Sequence, residues 1–316
     1  MASIETTLPA RRSADELAPP LSLRELAWRR FRRHKMALFG ALVLILLVVY
    51  CFGGALFVSE AYANYNDLNQ KLLPPSAEHP FGTDTIGRDI LARTIYGGQI
   101  SLVIGLSAVL IETILGILIG ALAGYYGGKI DAVLMRFTEA MINIPQIFLL
   151  IVMARFFGDK LPNFDFLGRT YSGSLVVIIL IIGATSWMYL ARIVRAEFLS
   201  LKERDFILAA RATGTPARDI IFRHILPNSV APIIVSATLG VANAILSEAY
   251  ISFLGMGVQP PTATWGNLLE RSYGYIDKNV AWLWFFPGML ILLTVLSINF
   301  VGDGLRDALD PRSRAV

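Results

Sequence analysis

Six apolar runs, each about 20 residues long, limit what this chain can fold into more than any other feature. They cover residues 36–58, 100–126, 137–157, 174–191, 229–254 and 282–302. A helix of about 20 apolar residues is long enough to cross the hydrocarbon core of a bilayer. The chain is 55% hydrophobic and 16% charged, which is less charge than a soluble domain of 316 residues carries. The sequence therefore predicts an all-α, polytopic membrane protein with six transmembrane helices.

Polar segments separate these runs and define the predicted organisation. Residues 1–35 form an N-terminal tail, 59–99 an external loop and 303–316 a C-terminal tail, while 100–302 hold the other five spans as one domain. The run 36–58 has 23 residues, whereas the apolar region of a signal peptide has roughly 7–15. It is therefore expected to be the first transmembrane helix. The basic stretch 28–35 (WRRFRRHK) is interpreted as a positive-inside anchor in preference to a specific lipid site.

Lysine and arginine are distributed unequally between the two sides of the predicted membrane. Six spans place both termini on one side, where the segments carry 8, 2, 7 and 3 basic residues, 20 in all. The segments on the other side carry 3, 3 and 2, which is 8 in all. Because basic segments remain in the cytoplasm, this bias predicts cytoplasmic termini. The net charge of +4 is thus explained by topology, and no nucleic-acid partner is expected.

Several classes of function are not supported by the residues. Cys51 is the single cysteine, so a disulfide framework is impossible, and the three histidines lack metal-ligand spacing. The sequence Gly127-Gly128-Lys129 is followed by Ile130 and not by the hydroxyl residue of a phosphate-binding loop. We therefore expect no catalytic residue, metal or cofactor in this chain.

One polar stretch between two apolar runs, residues 199–227, has the composition of an ordered structure and is called here the 199–227 loop. Residues 203–213 are rich in helix formers, and Gly214 is placed to end that helix in a left-handed cap. Thr215 is expected to be the N-cap of a second helix, with Pro216 in its first turn. That helix is expected to run to His224 and to be closed by Leu226 and Pro227.

The 199–227 loop resembles the coupling loop of ABC importer permeases, which docks on a cytoplasmic ATPase. The resemblance rests on Ala209-Ala210, then Gly214, then His224-Ile225-Leu226-Pro227 at the family's spacing. Leu208 and His224 depart from the general pattern and are similar to the peptide-importer branch. The residues assigned to ATPase coupling are Leu208, Ala209, Ala210, Arg211, Gly214, Thr215, Pro216, His224, Leu226 and Pro227. The alternative is an amphipathic pair of surface helices without a partner.

Two further stretches are similar to dipeptide and oligopeptide importers. The external loop contains HPFGTDTIGRD at 79–89, whose motif residues are Gly82, Thr83, Asp84, Gly87, Arg88 and Asp89. Gln99 stands where an arginine is common in that pattern. Residues 89–96 are interpreted either as an amphipathic helix on the membrane surface or as part of an ordered loop. The second stretch is EAYISFLGMGVQPPTATWG at 248–266.

The resemblance implies a type I, MetI-like permease fold and a transport function without catalysis by this chain. Its implied partners are a paralogous permease in a heterodimer, two cytoplasmic ATPases, an extracytoplasmic substrate-binding protein and the lipid bilayer. It also implies a multi-pass location in a bacterial inner membrane. Di- or oligopeptides are the implied cargo, but similar permeases carry nickel chelates, glutathione-like compounds or peptide antibiotics. The different class that we considered is an ion-coupled secondary transporter, which would need ionisable residues near the midplane of several spans.

Glu112 is the clearest ionisable residue near the middle of a predicted span, and Glu248 lies toward the end of another. Ala108, Gly116, Gly120 and Gly124 share the Glu112 face at intervals of four, which favours close helix packing there. Glu112 is therefore expected to point into the protein, either as a helix-packing hydrogen-bond partner or as a pore residue. Pro145 is expected to kink the third span because its ring removes a helix hydrogen bond.

Overall fold

The structure is a computed structural model, and it describes residues 22–275 and 278–310. The expectations for 1–21 and 311–316, the ends of the two polar tails, lie outside these residues. The α-helices in the first half are α1 (Leu23–Arg33), α2 (Lys35–Val48), α3 (Glu60–Asn64), α4 (Ile90–Tyr126), α5 (Gly128–Ile142), α6 (Gln146–Phe157) and α7 (Gly173–Ala184). Those that follow are α8 (Met188–Leu201), α9 (Asp205–Ala212), α10 (Ala217–Asp219), α11 (Leu226–Asn228), α12 (Val230–Phe253), α13 (Trp265–Glu270) and α14 (Trp282–Leu309).

Shorter elements complete the fold. Turns of π-helix continue α2 over Val49–Gly53 and connect α10 to α11 over Ile220–Ile225. Turns of 3-10 helix occupy Leu68–Gln70 and Tyr273–Tyr275. Two strands, β1 (Phe164–Phe166) and β2 (Arg169–Tyr171), form an antiparallel hairpin within the predicted loop 158–173. The chain is thus overwhelmingly helical, as predicted.

Helix α4 is the centre of the bundle. It packs against α7 and α8 on one side and against α12 on another, and α12 in turn contacts α14. Helices α1 and α2 also pack against α14. The largest buried apolar cluster lies between α4, α7 and α12 and includes Ile104, Ile178 and Ile251.

The small-residue face of α4 allows α8 to approach it closely. A Cβ atom at Gly116 would lie 2.8 Å from Leu190, and one at Gly120 would lie 2.5 Å from the Ala191 carbonyl oxygen. A Cβ at Gly124 would lie 2.5 Å from the Cβ of Phe198. The stripe on this face therefore serves helix packing, as the sequence predicts.

Among the residues that the structure describes, four helical segments are long and apolar enough to cross a membrane: Lys35–Gly53, Ile90–Tyr126, Val230–Phe253 and Trp282–Leu309. Two bent pairs, α5 with α6 and α7 with α8, raise this number to six if each pair is one span. The first pair bends by 86° where Pro145 interrupts it, because proline removes a donor and disfavours helical backbone in the residue before it. Pro145 was expected to cause a kink, and the structure has a complete break.

The second bend, of 40° between α7 and α8, was not expected. Here the hydroxyl of Thr185 donates to the Ile181 carbonyl oxygen at 2.8 Å, and that of Ser186 donates to the Ile182 carbonyl oxygen at 2.8 Å. Side-chain hydroxyls that bond to the preceding turn in this way bend helices.

Other helix bounds also differ from the sequence expectations. Residues 90–96 are buried first turns of the long helix α4, so the membrane-surface helix interpretation of 89–96 is wrong. Helix α1 lies within the predicted N-terminal tail, and α14 continues to Leu309, beyond the expected end of the sixth run. Helix α8 likewise extends into the 199–227 loop.

Candidate functional site

The motif residues 82–89 fold into a compact segment that prepares the start of α4. The Asp84 carboxylate accepts hydrogen bonds from the main-chain N–H groups of Ile86 and Arg88 and pairs with the Arg88 guanidinium. The Asp89 carboxylate caps α4 by accepting from the Ala92 N–H at 2.8 Å, and it also contacts His79 Nδ1 at 2.8 Å. These acidic side chains are therefore occupied by local structure.

The same segment is tied to α14. The Trp282 indole donates to the Thr83 carbonyl oxygen at 3.2 Å, and the rings of Phe81 and Phe286 stack with centroids 3.9 Å apart. Gly82 and Gly87 have φ of +74° and +81°, and residues that carry a Cβ atom rarely adopt such positive φ angles. The two glycines thus provide the turns that bring this segment against the bundle.

A guanidinium reaches Gln99 from the β-hairpin. Arg169 Nη1 donates to Gln99 Oε1 at 2.8 Å, and Arg169 Nε donates to Glu60 Oε2 at 2.6 Å. The Arg169 side chain also lies over the Tyr96 ring, 4.9 Å from its centroid. Sequence reasoning missed Arg169, because a lone basic residue in a polar loop carries no pattern.

In the 199–227 loop, α9 ends as the sequence predicts. Gly214 has φ +78°, its N–H donates to the Arg211 carbonyl oxygen at 3.0 Å, and the Thr215 N–H donates to the Ala210 carbonyl oxygen at 3.1 Å. This pair of bonds is a Schellman motif, which satisfies carbonyl groups at a helix end. The loop therefore has a fixed chain reversal at Gly214.

The start of the second helical part differs from the prediction. Pro216 and not Thr215 is the N-cap of α10, with φ −64° and ψ 149°, and it makes no side-chain capping bond. The Thr215 hydroxyl lies 3.4 Å from the Thr213 hydroxyl and caps no N–H group of α10. The helical turns also continue past His224 to Asn228, and Pro227 lies in the first turn of α11, where its missing N–H is tolerated.

The inner side of the 199–227 loop is held rigidly against the bundle. Ile207, Ile220 and Ile225 are fully buried in a cluster with Phe198 of α8. The Lys202 ammonium donates to the Gly124 carbonyl oxygen at the end of α4 at 3.2 Å. The Arg211 guanidinium lies 5.5 Å from the Tyr125 ring centroid. The loop and the end of α4 therefore form one unit.

The outer side of the loop exposes apolar groups. Phe206, Leu208 and Phe222 are 44%, 46% and 59% exposed, and Ala209 and Ala212 beside them are also exposed. Rigid apolar side chains beside alanines can bury area against another protein at little entropic cost. His224 is half-buried, and within the described residues no group of three acidic, histidine or cysteine side chains is arranged to hold a metal.

A cavity of about 1000 Å³ lies between α4, α8, α12, the start of α6 and the end of α14. Both helix breaks reach it, since Pro145, Gln146, Thr185 and Ser186 line its wall. Gln146 Nε2 donates to the Ser186 hydroxyl at 3.1 Å, which connects the two breaks. Sequence analysis missed the polar lining residues Thr185, Ser186 and Asn243, although polar residues inside apolar runs were a usable signal.

Glu112 faces this cavity, whereas Glu248 does not. The Glu112 side chain is 8% exposed and passes Gly240 of α12, where a Cβ atom would lie 3.2 Å from Oε2. Glu248 is buried elsewhere and accepts from the Ser252 hydroxyl at 2.6 Å and the Ser101 hydroxyl at 3.4 Å. The structure thus brings Glu112 and Pro145 to one cavity, places Gly116 and Gly120 against α8, and separates Glu248 from them.

This arrangement is that of a polytopic membrane component of a transport system, and family comparison agrees with it. Residues 116–315 match the family described as binding-protein-dependent transport system inner membrane component. Residues 22–75 match the N-terminal TM domain of oligopeptide transport permease C. The chain belongs to the family of binding-protein-dependent inner membrane transport components. It is a permease subunit of an ABC importer, in which ATP hydrolysis belongs to a separate subunit.

Curated relatives are similar over nearly the whole chain. The dipeptide transport system permease protein DppC of Bacillus subtilis is 38% identical over 96% of this chain and 90% of that protein. A putative peptide permease protein of Brucella suis is 42% identical over 90% and 89%. The oligopeptide transport system permease protein OppC of Haemophilus influenzae is 39% identical over 93% and 90%.

Among solved structures, inward-facing conformations of the MetNI methionine ABC transporter share the fold. One has a TM-score of 0.54 with 20% identity and covers 70% of this chain and 98% of that chain. A second crystal form gives a TM-score of 0.52 with 22% identity, covering 68% and 94%. At this identity the likeness supports the predicted MetI-like fold alone.

Proposed function

We propose that this chain forms part of the membrane pathway of an ATP-driven importer of di- or oligopeptides. In this proposal it pairs with a paralogous permease, receives cargo from an extracytoplasmic binding protein and is driven by two cytoplasmic ATPases. The observation that carries the proposal is the 199–227 loop, which combines a rigid attachment to the bundle with an exposed apolar outer side.

The geometry of the loop suits it to transmit force. Its Schellman cap fixes one helix against the next, and the Lys202–Gly124 bond joins it to the end of α4. A movement imposed on Leu208 and its neighbours would therefore displace α4 and α8 and not be absorbed inside the loop. ATP-dependent closure of a docked ATPase would bias the bundle between two states in this way.

The peptide cargo is supported by the relatives. Dipeptide and oligopeptide permeases are similar to this chain over at least 90% of its length. The cavity of about 1000 Å³ has room for a small peptide, and its hydroxyl and amide groups suit a polar backbone. Nickel chelates, glutathione-like compounds and peptide antibiotics are the alternatives within the same architecture.

The orientation of the chain is also part of the proposal. The bias of 20 basic residues against 8 supports a cytoplasmic location for the termini and the 199–227 loop, and an external one for the 82–89 segment and the β-hairpin. In this orientation the 199–227 loop would face the cytoplasmic ATPases, and the 82–89 segment would face the extracytoplasmic binding protein.

Co-purification of the assembled transporter tests the proposal. A tagged copy of this chain, expressed with its partner subunits, should retain two ATPase chains and a second permease. Leu208→Asp should reduce ATPase retention by about tenfold, because it places a charge in an apolar contact, while the second permease is kept. Leu167→Asp is the control, since Leu167 is also exposed (84%, against 46% for Leu208) but lies at the hairpin tip.

Two results would contradict the proposal. The first is purification of the wild-type chain without any ATPase under conditions that preserve its pairing with the second permease. The second is normal ATPase retention and normal peptide uptake by Leu208→Asp.

A further inference from the structure

Glu112 is a buried carboxylate without a partner in the part of the chain that the structure describes. It is 8% exposed, and none of the described side chains or main-chain groups gives it a hydrogen bond or ion pair. Its oxygens face the cavity between α4 and α12. A carboxylate in this position within a membrane span is costly unless a cation or donor meets it.

The fold does satisfy its other deeply buried glutamate. Glu248 receives hydroxyl groups from α4 and from its own helix, and Gly266 packs on its carboxylate. Glu248 therefore has the helix-packing role that was one of the two expectations for Glu112. The absence of equivalent donors around Glu112 argues that its partner arrives from the cavity.

The cavity wall favours a positive occupant. Its charged lining residues are Glu112, Glu197, Arg306 and Asp310. Arg306 is the single cation among them, and Arg30 lies near Asp310 because its guanidinium binds the Asp310 carbonyl oxygen. If Arg306 is counted against Asp310, the carboxylates of Glu112 and Glu197 leave the cavity lining with a net negative charge. Ser236 and Asn243 also line the cavity, and their hydroxyl and amide groups could bond to an occupant without competing positive charge.

The close approach of α12 directs the Glu112 side chain. Gly240 lies against the Glu112 oxygens, and both residues line the cavity. Asn243 is one helical turn further along the same face of α12 and is exposed to the cavity. A group bound by Glu112 is therefore also within reach of the α12 polar side chains.

We propose that Glu112 binds a cationic group of the cargo, such as the ammonium of a peptide amino terminus, as the cargo crosses the membrane. This inference rests on the proposed import function and adds a specificity-determining residue to it. A charge-assisted contact in a site of low polarity would select cargo with a free ammonium over the same molecule without one.

The test uses the complete transporter in proteoliposomes, with its binding protein and ATP. The probes are a dipeptide and its N-acetylated form, and uptake of each is normalised to its measured affinity for the binding protein. Glu112→Gln keeps the side-chain shape and removes the charge. We expect it to reduce relative uptake of the free dipeptide by about tenfold, with complex yield, ATPase activity and acetylated-dipeptide uptake unchanged. Glu112→Asp should retain most of the preference.

A second variant keeps the inference testable if Glu112→Gln does not assemble. Asn243→Lys places an ammonium one turn from Gly240 and should compete with the cargo for Glu112, again with selective loss of the free dipeptide. Glu248→Gln is the control, and its lower yield should not change the preference between the probes.

Three outcomes would overturn the inference. Unchanged preference in Glu112→Gln would remove the cation role, as would unchanged preference in Asn243→Lys. An equal loss of both probes together with a lower complex yield would assign Glu112 to pairing with the second permease. If the wild-type transporter imports neither probe, the proposed peptide function itself fails. This failure is distinguishable from failure of the Glu112 inference because it is observed with the wild-type protein.

Discussion

Gly214 offers a sharp test of how the 199–227 loop is built. Its φ of +78° lies in the left-handed region, and a Cβ atom there would meet nothing within 4 Å. The penalty for a side chain is therefore conformational and not steric. Alanine in this region costs roughly 1–2 kcal/mol, and a β-branched residue costs more because its χ1 rotamers are restricted. At about 1.4 kcal/mol per factor of ten, Gly214→Val should lower the equilibrium constant for the capped loop by at least tenfold.

The matched control is Gly214→Asn, because asparagine is similar in size to valine but adopts left-handed backbone readily. We expect ATPase retention and uptake to fall by about tenfold for Val and to stay within about twofold of wild type for Asn. Membrane insertion and pairing with the second permease should be unchanged for both, since Gly214 is exposed. Equal losses for Val and Asn, or no loss for Val, would refute the conformational argument.

Two further predictions concern packing and sidedness. Gly124→Val should prevent a stable complex, because the added atoms would overlap Phe198 and the Arg195 carbonyl oxygen, and a normal yield in detergent would contradict the packing of α4 on α8. Gly288→Val in α14 is the control, because a Cβ there would meet only Leu269, at an ordinary 3.8 Å. In a Cys51→Ala background, Leu167→Cys should react with an impermeant maleimide on intact cells and Glu203→Cys only after permeabilisation, and the reverse pattern would overturn the orientation.

The sequence predicted those features that local chemistry determines. Gly214 identified a left-handed cap, and the stripe from Ala108 to Gly124 identified a close helix contact, because both depend on residue size and spacing. The break at Pro145 was predicted in position but not in extent. An angle of 86° depends on what each half packs against, and residue type alone does not determine that.

Features that depend on distant contacts were not accessible in this way. The helix bends at Thr185 because its hydroxyl bonds to the Ile181 carbonyl oxygen. A threonine side chain can also point away from the helix backbone, so the presence of threonine does not by itself predict a bend. Residues 90–96 are polar enough to suggest a surface helix, yet they are buried by α3 and the segments around α13. The cavity likewise requires the packing of several elements that are distant in sequence, although Glu112 was a signal of it within the second apolar run.

Helix α4 has a mechanical consequence for transport. Its 37 residues form one helix of about 55 Å at 1.5 Å per residue, longer than the roughly 30 Å hydrocarbon core of a bilayer. One end is held by Asp89 and the motif segment, and the other by Lys202 and Arg211 of the loop. A rigid helix of this length acts as a lever: a tilt of about 10° about one end moves the other end by roughly 10 Å. A movement of the 199–227 loop would thus be transmitted by α4 to the opposite face of the membrane without any intermediate hinge.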